Sequence, residues 1–337
     1  MKSVNLKELA SHLNLSISTV SRALNDSYEV NDETKKRVQE MAAALNYQPN
    51  PYASSLRRQK SRTIALIIPE IANNFFTLAI DGIESIAQQH GYHVLIYLTH
   101  EDSKKEAEIT QLLQNGRVDG ILMSLSSNTA DNQHLGELHE KKIPLVFFDR
   151  VSESYGLARV TTDDYESGYK ATTHLIEQGC ERIAHLTISE NLSICKKRMQ
   201  GYIKALEDHG KTVDPTLIIN CNEDAETNYS FIKQLLEREG RPDGIFASVE
   251  KLAIYTYEAC AALKLSIPDD IKVISFSNLA TAALLHPSLT TITQPAFDIG
   301  KEAASILFRA IRSKPIPSAS TVCRSVLIKR ESTGVAK

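Results

Sequence analysis

From residue 63 onward the chain repeats one theme: a short, continuous apolar run, then an amphipathic stretch long enough for several turns of helix. "TIALIIP" (63–69) precedes helical periodicity over 76–90, and "HVLIYL" (93–98) precedes the same over 102–114. "GILMSL" (120–125) is followed by a helical stretch to 140, and then by "PLVFFD" (144–149). Strands that are apolar at nearly every position are buried on both faces, which predicts a parallel sheet with helices on both sides. A second series starts near Tyr165 and carries "RIAHLTI", "LIIN", "GIFASV" and "KVISFS". The expectation is an α/β chain with two doubly wound parallel-sheet subdomains, binding a ligand in the crevice at the strand carboxyl ends.

The residues before this series differ in kind. Residues 1–62 hold ten Lys or Arg against six Asp or Glu, whereas the remainder holds 28 against 35. A basic head on an acidic body points to a polyanion partner for the head alone. Asn5 followed by Glu8 is a capping pair, and Leu6, Leu9, Ala10 and Leu13 recur at helical spacing. Asn14 tolerates the left-handed turn that follows, and Ser16 has the character of an N-cap for a second helix. In that helix Val20, Ala23 and Leu24 share one face, leaving Ile17, Ser18, Ser21, Arg22 and Asn25 outward. A third helix starts near Asn31 and turns Val38, Met41, Ala42 and Leu45 inward. Helix, short turn, helix and supporting helix form a small all-α helix-turn-helix unit whose second helix enters the major groove of double-stranded DNA. Short hydroxyl side chains let that helix approach the duplex closely, and Arg22 has the reach for guanine or phosphate.

"YQPNPYASSLRRQKSRT" (47–63) joins head and body. Asn50 is placed to cap a short hinge helix with Pro51 at its first position, carrying Ala53, Ser54, Leu56 and Arg57. So short a helix is marginal alone and orders on its target; Leu56 has the character of a minor-groove wedge.

Several function classes find no support. No apolar run approaches the ~18 residues of a membrane span. "MKSVNLKELASHL" interleaves charges where a secretory signal needs a continuous apolar core, so a cytoplasmic protein without membrane partners is expected. The five cysteines, Cys180, Cys195, Cys221, Cys260 and Cys323, are scattered with no CxxC spacing, which predicts reduced thiols and no metal site. The chain carries no GxGxxG after its first strand, no phosphate loop, no GxSxG and no HExxH, so neither an enzyme nor a cofactor is expected. His134 and His139 are five apart and read as surface residues.

"STVSRALN" in the head, "NPYASSLRR" in the hinge, "RVDGILM" (117–123) and "HPSLTTITQPAFDIG" (286–300) occur in that order. Together they make the chain resemble the LacI family of bacterial transcription regulators over nearly its whole length. The resemblance implies a homodimer on a pseudopalindromic operator, with a helix-turn-helix head, an ordering hinge helix and a core of the periplasmic-binding-protein-like type. It implies a division into residues 1–48 (head), 49–62 (hinge), 63–160 with 292–323 (first core subdomain) and 161–291 with 324–330 (second). It also implies a small-molecule effector, a sugar or sugar derivative, that controls operator affinity, most simply in a repressor. An activator or global regulator with a phosphorylated or acidic effector is the alternative.

The DNA-contacting set expected is Asn5, Ser16, Ile17, Ser18, Ser21, Arg22 and Asn25, with Asn50, Ala53, Ser54, Leu56 and Arg57 from the hinge. The effector set is Asn73, Phe75, Ser124, Asp149, Arg198, Ser277 and Asn278. Asp149 closes a buried strand as a two-oxygen acceptor, and Arg198 in "RMQGY" matches the family's ligand-binding arginine. Phe76 reads as core, and Tyr155, Tyr165 and Tyr255 are candidate neutral hydroxyls. Two departures stand out: Val249 and Glu250 replace the family's common Asn-Asp, and Ser277 stands where an aspartate is common. The second removes an acceptor for sugar hydroxyls, which tilts the expectation away from a familiar hexose.

Overall fold

A computed structural model describes residues 4–47, 61–127, 133–152, 156–221, 224–312 and 320–334. The chain separates into two units, Met1–Ser61 and Arg62–Lys337.

In the smaller unit the caps act as their spacing predicts. Asn5 Oδ1 accepts from the Glu8 amide (3.0 Å) while the Glu8 carboxylate accepts from the Asn5 amide (2.9 Å), starting α1, Leu6–Leu13. Asn14 ends that helix in the left-handed region, at φ 52°. Ser16 caps α2, Ile17–Leu24, and Asn31 caps α3, Asp32–Ala44. The three helices close on Leu9, Ala10, Leu13, Val20, Ala23, Val38 and Ala42, with Met41 and Leu45 partly buried beside them. The hinge residues Asn50, Ala53, Ser54, Leu56 and Arg57 lie outside the described residues.

The larger unit contains two six-stranded sheets. The first lobe is built on β1 (Thr63–Ile68), β2 (His93–Leu98), β3 (Gly120–Met123), β4 (Leu145–Phe148) and β5 (Ala158–Thr162), with helices α4 (Asn74–Gln89), α5 (Ser103–Leu113) and α6 (Gln133–Glu140). The second is built on β6 (Ile183–Thr187), β7 (Ile218–Asn220), β8 (Gly244–Ala247), β9 (Lys272–Phe276) and β10 (Thr290–Thr293), with α7 (Asp164–Glu177), α8 (Ser193–Asp208), α9 (Ala225–Glu237) and α10 (Glu250–Leu263). Helix α11 (Ala296–Arg312) packs on the first lobe, β11 (Ser320–Cys323) joins its sheet, and β12 (Val326–Ile328) joins the other. The strand orders are β11-β5-β4-β3-β1-β2 and β12-β10-β9-β8-β6-β7.

Two features depart from the sequence expectation. β5 and β10 are strands beyond the apolar runs first identified, and each extends two residues past the expected division at 160 or 291. The second sheet is not wholly parallel, since β12 runs antiparallel to β10. No helix among the described residues is long and apolar enough to cross a membrane.

Each lobe is clamped by a helix pair that meets through reciprocal glycines. A Cβ on Gly82 of α4 would lie 2.1 Å from the Phe297 carbonyl oxygen, and one on Gly300 of α11 would lie 2.1 Å from that of Ala79. Similarly, a Cβ on Gly168 of α7 would stand 2.5 Å from the Arg198 carbonyl oxygen, and one on Gly201 of α8 2.2 Å from that of Tyr165. Backbone cannot yield as a side chain tip does, so these contacts require glycine. Gly201→Ala is expected to cost at least about 1–3 kcal/mol, the range for overpacking, and to displace Arg198 one turn away. Thermal unfolding of the core transition checks the first effect and effector titration the second.

Candidate functional site

The exposed face of α2 carries the small polar side chains. Ile17 is 47% exposed, Ser16, Ser18, Arg22 and Asn25 are exposed, and Ser21 is half-buried, while Val20 and Ala23 are fully buried on the opposite side. Ser16 Oγ accepts from the Thr19 amide (3.1 Å) and shares hydrogen bonds with the Ser18 (2.7 Å) and Thr19 (2.8 Å) hydroxyls. Its first task is therefore the cap. Asn5 is likewise committed to a cap. Asn25 Nδ2 donates to the Ser21 carbonyl at 2.6 Å. Arg22 Nε pairs with the Glu29 carboxylate at 3.0 Å, a contact that steadies the guanidinium over the helix face. That partner follows α2 by five residues and was not foreseen.

The larger unit has a cleft between its lobes, at the carboxyl ends of the strands, enclosing about 390 Å³ including its open mouth. Asn73, Phe75, Phe76, Asp149 and Arg150 line it from the first lobe; Arg198, Glu250, Phe276, Ser277 and Asn278 line it from the second. Ile194, Val249 and Gln294 complete the wall. Six of the seven expected effector residues are thus brought together. Ser124 is the exception: it is fully buried and its hydroxyl accepts from the Arg150 amide at 3.4 Å, so it supports the strand end and is absent from the lining. Asn73 lines the cleft with a side chain already engaged, accepting from the Phe75 amide (3.0 Å) and donating to Glu70 (2.9 Å). Phe76 is core and cleft floor at once. Tyr165 and Tyr255 do not line the cleft, and Tyr155 lies outside the described residues.

Two guanidiniums dominate the chemistry. Arg198 donates from Nε to Asp164 (2.8 Å) and from Nη1 to the Ser248 carbonyl (2.6 Å), and its carbon Cζ sits 3.7 Å from the centre of the Phe276 ring. Its Nη2 is buried without a hydrogen-bond partner among the described residues. Held on two sides and stacked on a third, it presents that remaining nitrogen to a ligand. Arg150 donates from Nη1 to Glu101 at 2.7 Å, with Asp149 farther off at 3.9 Å. Burial opposes the Arg150 charge, but Glu101 and Asp149 more than restore it. Burial raises the pKa of Asp149 despite Arg150 and Arg198 nearby, and pushes that of Asp164 up to about 6.

The remaining polar groups are cross-linked. Ser277 Oγ donates to Glu250 Oε2 at 2.9 Å, and Asn278 Nδ2 donates to the Gln294 carbonyl at 2.7 Å. Arg150, Glu250, Ile194 and Gln294 were not among the expected effector contacts. Glu250 is itself a departure from the family pattern and so carried a signal; Arg150 did not, because its partner Glu101 lies 49 residues upstream. His134 is buried rather than surface, with Nε2 3.0 Å from Glu106. All five cysteines are free, and among the described residues no cluster of three His, Cys, Asp or Glu is placed to hold a metal.

Residues 61–334 match the profile described as "Periplasmic binding proteins and sugar binding domain of LacI family", and residues 5–50 match "Bacterial regulatory proteins, lacI family". The ribose operon repressor of Halalkalibacterium halodurans is 31% identical over 97% of this chain and 96% of its own. A LacI family transcriptional regulator from Enterococcus faecium, solved with bound ribose, is 26% identical and superposes with a TM-score of 0.71 over 82% of this chain and all of its own. The Lac repressor dimer on operator DNA superposes with a TM-score of 0.86 over 98% of this chain and 99% of its own; at 22% identity the likeness is one of fold.

Proposed function

Because the chain belongs to the LacI family of bacterial regulatory proteins, we propose that it is a homodimeric transcriptional repressor whose hold on a pseudopalindromic operator is set by a small neutral sugar bound between the lobes. The observation that carries this is the exposed hydroxyl face of α2, with Arg22 steadied by Glu29, on a chain that also holds a polar ligand cleft. The α2 side chains read base edges, the hinge residues bend the operator centre, and the effector acts through its different affinities for two lobe arrangements. Acting on DNA, the protein works in the cytoplasm, and the cleft binds its ligand without turning it over.

Charge balance favours a neutral effector over an acidic one. The lining and its direct partners hold two guanidiniums, Arg150 and Arg198, against five carboxyl groups, Glu70, Glu101, Asp149, Asp164 and Glu250. Each arginine already has its own carboxylate, so a phosphate or carboxylate ligand meets Asp149 and Glu250 without a free compensating charge. Hydroxyl groups of a sugar donate to those same two side chains and accept from Arg198 Nη2. The ribose named for two similar proteins is the first ligand to titrate.

Selection of duplexes from a random pool by the full-length protein tests the DNA half, with recovery of a pseudopalindrome the expected result. Fluorescence anisotropy on the selected duplex, with and without sugars, tests the effector half; an affinity that no metabolite alters refutes it. Arg22→Ala is expected to cost about 1–3 kcal/mol of operator affinity and to relax preference at one base pair per half-site. A uniform loss across all sequences instead assigns Arg22 to a phosphate.

A further inference from the structure

Glu250 is the first residue of α10 in the second lobe, and its carboxylate reaches across the cleft to the first residue of α4 in the first lobe. Oε1 accepts from the Asn74 side-chain amide (2.8 Å) and from the Asn74 backbone amide (3.4 Å). Oε2 accepts from Ser277 Oγ (2.9 Å), a hydroxyl that itself accepts from the Leu279 amide (3.0 Å). The carboxylate is therefore gripped by both lobes. Away from the crossing segments the lobes are also joined by the Val151 amide donating to Ser193 Oγ, at a longer 3.3 Å between uncharged groups. A charge-assisted hydrogen bond is worth roughly twice a neutral one, so Glu250 is the stronger link.

We propose that Glu250 is a positioning residue, an inter-lobe latch that holds the two lobes of the core against each other. Ser277 is the other half of the device. Where an aspartate would repel the Glu250 carboxylate, the serine donates to it and aims its other oxygen at Asn74. Glu250 also lines the cavity, so a ligand hydroxyl that donates to it competes with Asn74, and occupancy and latching draw on the same oxygen. The regulatory meaning of this rests on the effector-controlled reading above; the latch itself does not.

Hydrogen–deuterium exchange on the full-length, ligand-free protein tests it. Glu250→Ala and Asn74→Ala are each expected to speed exchange at residues 73–76 by roughly tenfold, the effect of losing one hydrogen bond to a charged group. The double variant is expected to exchange no faster than Glu250→Ala alone, because both changes remove one interaction. Glu250→Gln keeps an oxygen for Asn74 and a donor for Ser277 but loses the charge, so its exchange is expected to fall between the wild-type and Glu250→Ala rates. Unchanged exchange in Glu250→Ala, additive effects in the double variant, or a Gln variant as fast as the Ala variant each overturns the latch. Operator affinity of the same ligand-free proteins is measured alongside. Exchange that rises as expected while operator affinity stays constant supports the latch and refutes the coupling between cleft and head.

Discussion

Replacing Arg198 by methionine is expected to cost about 3–5 kcal/mol of core stability above neutral pH, because it leaves a buried carboxylate without its partner. Arg198 and Asp164 are 1% and 2% exposed and meet at 2.8 Å. Burial pushes the Asp164 carboxyl up to about 6 while Arg198 pulls it down, so removing the arginine raises it further. In the native protein the folded pKa lies above the unfolded value of 3.8, so the associated stability is complete below 3.8 and is lost as pH climbs through about 6. In the variant that window moves upward, and proton uptake by Asp164 relieves the penalty at low pH. The gap between the two proteins is therefore narrow near pH 5 and wide near pH 8, as urea denaturation at both values would show. An equal gap at both refutes the buried-carboxylate account. The same change removes the unpartnered Nη2 from the cleft, so the effector's influence on operator affinity is expected to vanish while effector-free operator binding survives.

Leu9→Ala is expected to abolish operator binding and leave the core's thermal transition in place. Leu9 is fully buried among Val20, Ala23 and Val38, where the three head helices meet. A buried leucine truncated to alanine costs about 2–5 kcal/mol. A unit of some sixty residues has a total stability of only about 3–9 kcal/mol at the usual yield per residue. Circular dichroism on the full chain would then show early loss of helix, followed by an unaltered core melt. Ile17→Ala, on the exposed face of the same small unit, is the contrasting case: its removal is expected to weaken DNA binding without shifting either transition. If both substitutions lower the head transition equally, the outward assignment of Ile17 on α2 fails.

Much of the head was legible because its determinants are local. Asn5 with Glu8, Ser16 with Thr19 and Asn31 with Thr34 are caps that act within three residues, and the two faces of α2 follow from helical spacing alone. The strands that escaped notice, β5 "ARVTT" and β10 "TTIT", are short and rich in threonine, and they are buried by neighbours distant in sequence rather than by their own apolarity. His134 looked like a surface residue because its partner Glu106 is 28 positions away. In the cleft, Asp149 and Arg198 were legible from strand-end position and a family motif; Arg150 was not, because its importance lies in the Glu101 carboxylate it meets 49 residues upstream.

What the sequence by itself determined is the kind of each part: a basic three-helix head with a hydroxyl-lined second helix, two strand-and-helix series, and a crevice at their strand ends. Periodicity and caps specify which face of an element is buried, and those rules act over a few residues. What only the tertiary structure decided is which residues meet across the cleft. Glu250 and Asn74 are 176 residues apart, Arg198 and Asp164 are 34 apart on two helices, and Gly168 and Gly201 let those helices touch backbone to backbone. The chain passes between the lobes after β5, β10 and β11, so these juxtapositions follow from how the two sheets face each other, a relation no local pattern encodes.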